Sequence, residues 1–238
     1  IGLAWKVLIA DQLAPVVDIA FDGLDAPNLA EAWLGVTAYA LQIYFDFAGY
    51  SNMAIGLALA MGLRFPRNFD LPYRSLSVGE FWRRWHMSLS SWFRDYVYIP
   101  LGGSREGPWR TAGNLWAVFL LCGLWHGASW TFVVWGVHHG AFLILERTRF
   151  GGWLRAAPAV VGFAYTQAVV LTGWVWFRAG SFDEAIAMFR GLAGLNGTGG
   201  TSIFGGNGGS NASPDGVAPG GGGAGSATTS GAGARGEI

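Results

Sequence analysis

Residues 112–146 read AGNLWAVFLLCGLWHGASWTFVVWGVHHGAFLILE, and this stretch decides the class of the fold. Two apolar arms, 112–124 and 128–146, are separated by Trp125-His126-Gly127. Polar groups are costly in hydrocarbon, so an ionisable residue at membrane depth is a candidate for function. His126 is therefore the first candidate site residue, in a chain that contains only four histidines.

The composition is that of a membrane protein. Of the 238 residues, 52% are hydrophobic and 13% are charged, whereas a soluble domain carries about 25% charged residues. We predict an all-α, polytopic transmembrane helical bundle with re-entrant or interfacial helices. The net charge of zero excludes a nucleic-acid binder that depends on bulk charge. Cys122, in the first apolar arm, is interpreted as a small buried hydrophobe.

Further candidate spans lie on both sides of this stretch. A span needs about 20 mainly apolar residues. Residues 1–21 are a weak candidate, and 157–177 are a clean one. Residues 32–63 form either two segments joined at a polar break or one long tilted helix. The first residue is Ile1 and no signal peptide is visible, so we interpret the chain as part of a longer protein.

The charges predict an orientation in the membrane. Residues 64–111 hold eight arginines against four acids, which places them in the cytoplasm by the positive-inside rule. Residues 11–31 carry five acids and no Lys or Arg, which fits the opposite side. Residues 112–146 then leave and return to the cytoplasmic face. A first arm of 13 residues reaches only about 20 Å, so His126 is expected within the membrane thickness.

A second histidine lies in the cytoplasmic stretch, in Phe81-Trp82-Arg83-Arg84-Trp85-His86. Residues 79–99 are too charged to span, but their aromatic residues recur at helical spacing. We therefore predict one amphipathic interfacial or re-entrant helix here. On that helix Trp82, His86 and Leu89 would share a face.

The composition changes abruptly near residue 191. Residues 191–238 contain 18 glycines among Ser, Thr, Ala and Asn, with no hydrophobic period. This pattern is typical of a flexible, disordered tail. The predicted division is a membrane core at residues 1–190 and a Gly-rich tail at 191–238.

The two histidines suit acid–base chemistry. His126 is interpreted as a general base, because an imidazole has a pKa near neutrality and desolvation keeps it neutral. The alternative is a core histidine bound to a backbone carbonyl. His86 either orients the acceptor or packs among aromatic rings. Arg83 and Arg84 either meet the phosphates of an anionic donor or snorkel to lipid headgroups.

Other polar residues allow different functions. Asp46 must be paired or line a wet cavity, and an arginine is its expected partner. Ser51 and Asn52 are expected to hold helices together. Alternatively, these three residues line the ion path of a transporter, or the chain is a non-catalytic scaffold. His138-His139 are adjacent on a helix and cannot face one site, and no metal site is predicted.

Five ordered stretches resemble the membrane-bound O-acyltransferase family. The alginate O-acetyltransferase branch is most similar, and the D-alanyl transfer proteins of teichoic acid are related to it. The similarity extends over residues 1–190, and it is carried by Gln42-Ile43-Tyr44-Phe45-Asp46-Phe47-Ala48-Gly49-Tyr50-Ser51-Asn52-Met53-Ala54-Ile55-Gly56, Asn68-Phe69-Asp70-Leu71-Pro72-Tyr73, Phe81-Trp82-Arg83-Arg84-Trp85-His86-Met87-Ser88-Leu89-Ser90, Tyr98-Ile99-Pro100-Leu101-Gly102-Gly103 and Gly123-Leu124-Trp125-His126-Gly127.

The resemblance implies a helical fold around a tunnel, with His126 as the catalytic residue and His86 assisting from across the tunnel. It implies acetyl transfer from cytoplasmic acetyl-CoA, with no bound cofactor, to an extracytoplasmic polysaccharide such as alginate. Expected partners are membrane lipid, the polysaccharide and a periplasmic acetyltransferase, in the bacterial inner membrane. Family members are about twice this long, so an N-terminal group of helices is expected to be missing. The candidate substrate-binding residues are Trp125, Trp82, Arg83, Arg84, Asp46 and Asn52.

Overall fold

The computed structural model describes residues 1–197, so most of the predicted Gly-rich tail lies outside the described residues. Over residues 1–197 the regular structure is helical and contains no strand, which confirms the all-α prediction. Ten α-helices occur there: α1 Gly2–Trp5, α2 Asp11–Asp22, α3 Leu29–Ala60, α4 Val78–Arg84, α5 Met87–Phe93, α6 Pro108–His126, α7 Trp130–Leu145, α8 Arg149–Ala156, α9 Ala159–Arg178 and α10 Phe182–Leu192. Short π-helical turns at Lys6–Ala10 and Arg94–Tyr98, and a 3₁₀ turn at Pro72–Arg74, join some of them.

The long helices follow the apolar runs of the sequence. In the described part of the chain, α9 is the one helix that is both long and apolar enough to cross a membrane, and α7 is a shorter apolar helix. The polar break predicted within 32–63 does not interrupt α3, which continues for 32 residues. At a rise of 1.5 Å per residue α3 is about 48 Å long. Of the two interpretations of this stretch, the single long helix is correct.

Helices α6 and α7 form a tightly packed hairpin. A Cβ atom on Gly136 would collide with the carbonyl oxygen of Phe119, and one on Gly123 would collide with that of Phe132. Small residues at such crossings let two backbones approach closely. The predicted 13-residue first arm was wrong, because α6 begins at Pro108 and has 19 residues. It is about 28 Å long, so the argument from an arm of about 20 Å no longer applies. The depth of His126 in a membrane stays a prediction.

Two buried clusters hold the helices together. One joins α2, α3, α9 and α10 through residues that include Val17, Val36, Val175 and Met188. The other is largely aromatic and places α4 and α5 against α7 and α9; its members include Phe81, Trp85, Phe93, Trp135 and Trp174. Trp135 of this cluster contacts His126, and Trp85 directly precedes His86 in the chain.

The single helix predicted over 79–99 was wrong, because α4 and α5 are separate. Trp85 is extended, and His86 has left-handed backbone angles of φ 43° and ψ 56°. A neighbouring loop provides the physical reason. The amide of Met87 donates to the carbonyl of Asn68 at 2.9 Å, and the amide of Asp70 donates to the carbonyl of Arg84 at 3.0 Å. These backbone groups bond to the loop instead of continuing one helix.

The helical structure passes the predicted core boundary at residue 190. Helix α10 ends at Leu192, and Gly194 follows it with a φ of 70°. The side-chain amide of Asn196 then donates to the carbonyls of Pro27, at 2.8 Å, and Ala187, at 2.9 Å. Asn196 therefore ties the segment after α10 to the loop before α3. The predicted disordered tail begins at residue 191, and its residues 198–238 lie outside the described part.

Candidate active site

His86 lies at the junction of α4 and α5 and is half-buried. Its Nδ1 atom is 3.2 Å from Oδ1 of Asn68 and 3.4 Å from Oγ of Ser88. The Phe47 ring packs edge-on against the imidazole, with the centroids 4.6 Å apart. Burial, and then the nearby charge of His126, lower the pKa of His86 to about 4. The imidazole is therefore neutral near pH 7.

His126 is the last residue of α6 and lies in an aromatic enclosure. Its ring centroid is 4.9 Å from that of Phe177 and 5.1 Å from that of Trp135, both nearly perpendicular to it. Among residues 1–197 the structure gives this imidazole ring contacts and no hydrogen bond. The alternative for His126 was a hydrogen bond to a backbone carbonyl. That arrangement is found at a different histidine, His138, whose Nε2 lies 2.9 Å from the carbonyl oxygen of Val169.

Trp125 connects the two histidines. Its ring centroid is 4.9 Å from that of His126 and 6.4 Å from that of His86. The indole is 59% exposed, so this side of the pair is open. The structure thus brings both predicted catalytic histidines, and Trp125, into one site. Their predicted roles in catalysis stay predictions.

A cavity of about 440 Å³ lies next to this site. Met87, adjacent to His86 in the chain, lines it, and so does Trp82. The Trp82 ring packs against Trp135, which in turn contacts His126. The walls are mainly apolar and include the buried Cys122, as predicted for that residue. Three arginines also line the cavity, and all are exposed: Arg83, Arg94 and Arg147.

The two neighbouring arginines of α4 have different surroundings. Arg83 lines the 440 Å³ cavity and an adjoining cavity of about 640 Å³. Arg84 instead donates from Nε to Glu80 at 2.9 Å and from Nη1 to the carbonyl of Asp70 at 3.1 Å. The structure therefore brings Arg83, but not Arg84, to the cavity, and Arg84 fixes α4 to the loop around Asp70.

Asp46 does not have the partner that was predicted for it. Its carboxylate lies 2.8 Å from Nζ of Lys6, the only lysine in the chain, so the expected arginine was wrong. About half of each side chain is exposed. Asn52 is exposed and lines a separate pocket of about 160 Å³ together with Ser51 and Asn68. Asp46 does not line that pocket, so the proposed ion-path residues are not brought together.

Asn68 contacts His86, and Glu146 supports the helix that precedes it, although sequence reasoning gave neither residue a role. The Glu146 carboxylate accepts the backbone amides of Val78, at 2.6 Å, and Gly79, at 2.9 Å. It thereby holds the start of α4, the helix that carries Trp82. No local pattern indicates this contact, since the partners are 67 and 68 residues apart. The one indication in the sequence of a role for Asn68 was its position in a stretch that resembles the family.

The remaining histidines do not form a metal site. His139 is completely buried and packs edge-on against the Trp82 ring, with the centroids 5.0 Å apart. Its neighbour His138 bonds to the α9 backbone. Within residues 1–197 no three His, Cys, Asp or Glu side chains are arranged to hold a metal ion.

Comparison with known proteins identifies the family. The model of the membrane-bound O-acyltransferase family matches residues 1–178, which include both histidines. The chain belongs to this family. As a member of the membrane-bound O-acyltransferases it is a membrane protein.

The curated relatives of the chain are named as O-acetylases, O-acetyltransferases or D-alanyltransferases. A probable alginate O-acetylase of Azotobacter vinelandii is 50% identical over 194 residues, which cover 80% of this chain and 38% of the relative. A peptidoglycan O-acetyltransferase of Helicobacter pylori is 40% identical over 200 residues, 83% of this chain and 38% of the relative. A teichoic acid D-alanyltransferase of Bacillus subtilis is 31% identical over 155 residues, 60% of this chain and 38% of the relative. The chain thus spans less than two fifths of the length of these curated relatives.

Proposed function

We propose that this chain carries the reaction centre of a membrane O-acetyltransferase. The proposed reaction moves an acetyl group from acetyl-CoA in the cytoplasm to an extracytoplasmic polysaccharide such as alginate. The observation that carries the proposal is the approach of His86 and His126 to one tryptophan, beside an arginine-lined cavity. The 50% identity to an alginate O-acetylase supports the choice of acetyl group and polysaccharide.

His126 is the proposed general base. In this scheme its imidazole removes the proton of an acceptor hydroxyl, and the oxygen attacks the thioester carbonyl of the donor. The tetrahedral intermediate collapses, the thiolate leaves, and the imidazolium returns its proton to sulfur. The aromatic rings of Trp135 and Phe177 pack nearly perpendicular to the His126 imidazole and restrict its plane. Because its ring is free of hydrogen bonds from residues 1–197, a substrate hydroxyl meets no competing partner there.

The 440 Å³ cavity is the proposed donor site. Its apolar walls suit the acyl and thioester end of the donor, and the exposed guanidiniums of Arg83 and Arg147 suit phosphate groups. The guanidinium of Arg94 is paired with Asp95. These arginines belong to stretches whose charge predicts a cytoplasmic location. Trp82 lines the cavity and packs against Trp135, which contacts His126, so in this proposal the reactive end of a donor seated there lies toward the base.

The product side of the reaction is also a proposal. An exposed Trp125 between the histidines offers an apolar face on which a sugar ring or a partner protein can stack. We propose that the acetyl group passes here either directly to the polysaccharide or to a periplasmic acetyltransferase that delivers it. The multi-pass arrangement in the inner membrane belongs to the same proposal.

The test is transfer of labelled acetyl from acetyl-CoA in membranes that contain the complete gene product. We expect label in polysaccharide or in a periplasmic partner with the unmodified protein, and none with His126→Ala. His138→Gln is the matched control, because His138 bonds to the α9 backbone and should leave transfer intact. Normal transfer by His126→Ala would contradict the assignment of the base.

A second candidate is D-alanyl transfer to teichoic acid. It is favoured by a teichoic acid D-alanyltransferase of Streptococcus thermophilus that is 40% identical over 135 residues. Its donor would be a carrier protein rather than acetyl-CoA. Transfer from a D-alanyl-loaded carrier protein, without transfer from acetyl-CoA, would establish this candidate and exclude the first.

A further inference from the structure

The side chain of Asn68 is held in one orientation by its neighbours. Its Oδ1 atom accepts the backbone amide of Ser88 at 3.1 Å and the Ser88 hydroxyl at 3.0 Å. Its Nδ2 atom donates to Oγ of Ser51 at 3.2 Å. A backbone N–H can only donate, so the atom that faces Ser88 must be the carboxamide oxygen. A flipped amide would place two donors against each other.

This orientation determines the protonation of His86. The atom 3.2 Å from its Nδ1 is Oδ1 of Asn68, which only accepts. An unprotonated Nδ1 would place its lone pair against the lone pairs of that oxygen. The Ser88 hydroxyl, 3.4 Å from Nδ1, has a single proton, which it donates to Oδ1 of Asn68 at 3.0 Å. A neutral ring is thus best accommodated with its proton on Nδ1, donated to Asn68. Its free lone pair is then on Nε2, which is the atom able to accept a hydrogen bond from a substrate hydroxyl and so orient it for His126.

Asn68 also holds the backbone on which His86 is placed. The left-handed conformation of His86 is sparsely populated for a non-glycine residue and persists only when its surroundings impose it. The two amides that follow, of Met87 and Ser88, donate to the backbone carbonyl and side-chain oxygen of Asn68. One residue thus satisfies the first two amides of α5 and fixes the strained turn.

We propose that Asn68 is a positioning residue, which holds the His86 imidazole in the Nδ1–H tautomer and leaves Nε2 as the acceptor. The inference rests on the proposed function for its catalytic meaning, since it extends the roles of the same site. The tautomer itself is a property of the resting protein. It can therefore be measured whether or not acyl transfer is detected.

The first test is ¹⁵N NMR of the complete gene product labelled on histidine, with the His86 signals assigned by their loss in His86→Gln. We expect a protonated Nδ1 and an unprotonated Nε2 in the unmodified protein. In Asn68→Ala both tautomers should become populated. Ser51→Ala is the matched control, because it removes the other hydrogen bond of Asn68 and should leave the tautomer unchanged. An Nε2–H tautomer in the unmodified protein, or no change in Asn68→Ala, overturns the proposal.

The second test uses Asn68→Asp, in case Asn68→Ala does not accumulate in membranes. A carboxylate still accepts from Nδ1, so the tautomer should be retained, but its charge raises the pKa of His86. The acid limb of the pH–rate profile should then move to higher pH while transfer at alkaline pH is retained.

We expect Asn68→Ala to lower kcat roughly tenfold to a hundredfold, as misplaced catalytic groups do, with little change in KM for the donor.

These measurements separate the two proposals. If the unmodified protein transfers no acyl group but the tautomer depends on Asn68, the proposed function fails and the positioning of His86 stands. If transfer occurs and Asn68→Asp leaves the acid limb unmoved, the positioning role fails and the acyltransferase stands. Arg67→Ala is a further control for the loop, since Arg67 is exposed and pairs only with Asp70 among residues 1–197.

Discussion

Removal of the Glu146 carboxylate should loosen α4 without unfolding the bundle. The first amides of a helix have no partner within it. In α4 two of them, on Val78 and Gly79, donate to Glu146, and the amide of Glu80 donates to Oγ of Ser77. Glu146 therefore satisfies two of the three, and its negative charge also lies at the favourable end of the helix dipole.

The size of the effect follows from these two bonds. A hydrogen bond to a charged group contributes about 1.5–3 kcal/mol. The site is only partly buried, so water compensates for part of the lost hydrogen bonding. We therefore expect Glu146→Ala to lower the free energy of opening α4 by about 2–3 kcal/mol. That energy corresponds to roughly a 30-fold to 150-fold rise in the opening equilibrium of α4. Glu146→Gln keeps one carbonyl oxygen as acceptor and should cost about half as much.

Hydrogen exchange followed by mass spectrometry measures this opening directly. We expect faster exchange in the peptide covering residues 78–84 of Glu146→Ala, and a smaller increase in Glu146→Gln. Glu106→Gln is the control, because Glu106 forms an exposed pair with Arg110 at 3.3 Å, worth at most about 0.5 kcal/mol. Unchanged exchange over 78–84 in Glu146→Ala would refute the capping argument. In the acyltransferase assay the same variant should raise the donor KM, since α4 carries Trp82.

Two further changes test the cavity and the hairpin. Leu115→Trp fills the cavity beside Cys122 and should raise the KM for acetyl-CoA at least tenfold. Leu121→Trp, on the exposed side of α6, is the control and should leave that KM unchanged. Steady-state kinetics measure both values. Gly136→Ala places a Cβ against a backbone carbonyl of α6 and should cost about 1–3 kcal/mol by overpacking. Gly152→Ala meets open space and should not destabilise the protein, which a thermal unfolding series in detergent would show.

The parts of the fold that sequence predicts are those with a local cause. An apolar run of sufficient length is a candidate for a long helix, and two such runs form α3 and α9. The Trp125-His126-Gly127 break was predicted because the three residues interrupt two apolar arms. The proximity of His86 and His126 came from the family resemblance. Neither composition nor spacing relates two residues that are 40 positions apart in the chain.

The predictions that failed depend on distant partners. Aromatic spacing predicted one helix through His86 because Phe81, Trp85 and Phe93 do face the same core. The break between the helices is imposed by Asn68, whose bonds to α5 no periodicity in 79–99 can reveal. The partner of Asp46 was misjudged for a similar reason. Lys6 reaches it from another helix, through a contact that charge counts do not predict.

The two histidines are held in position in different ways, although α7 contributes to both. His126 ends a long helix that is packed on α7 through glycines, so its position follows that hairpin. His86 lies between helices of seven residues each, which are too short to be stable alone. Their geometry is imposed from outside, by Glu146 at the end of α7 and by Asn68. Loss of either contact should therefore move one imidazole relative to the other, and activity should fall further than stability does.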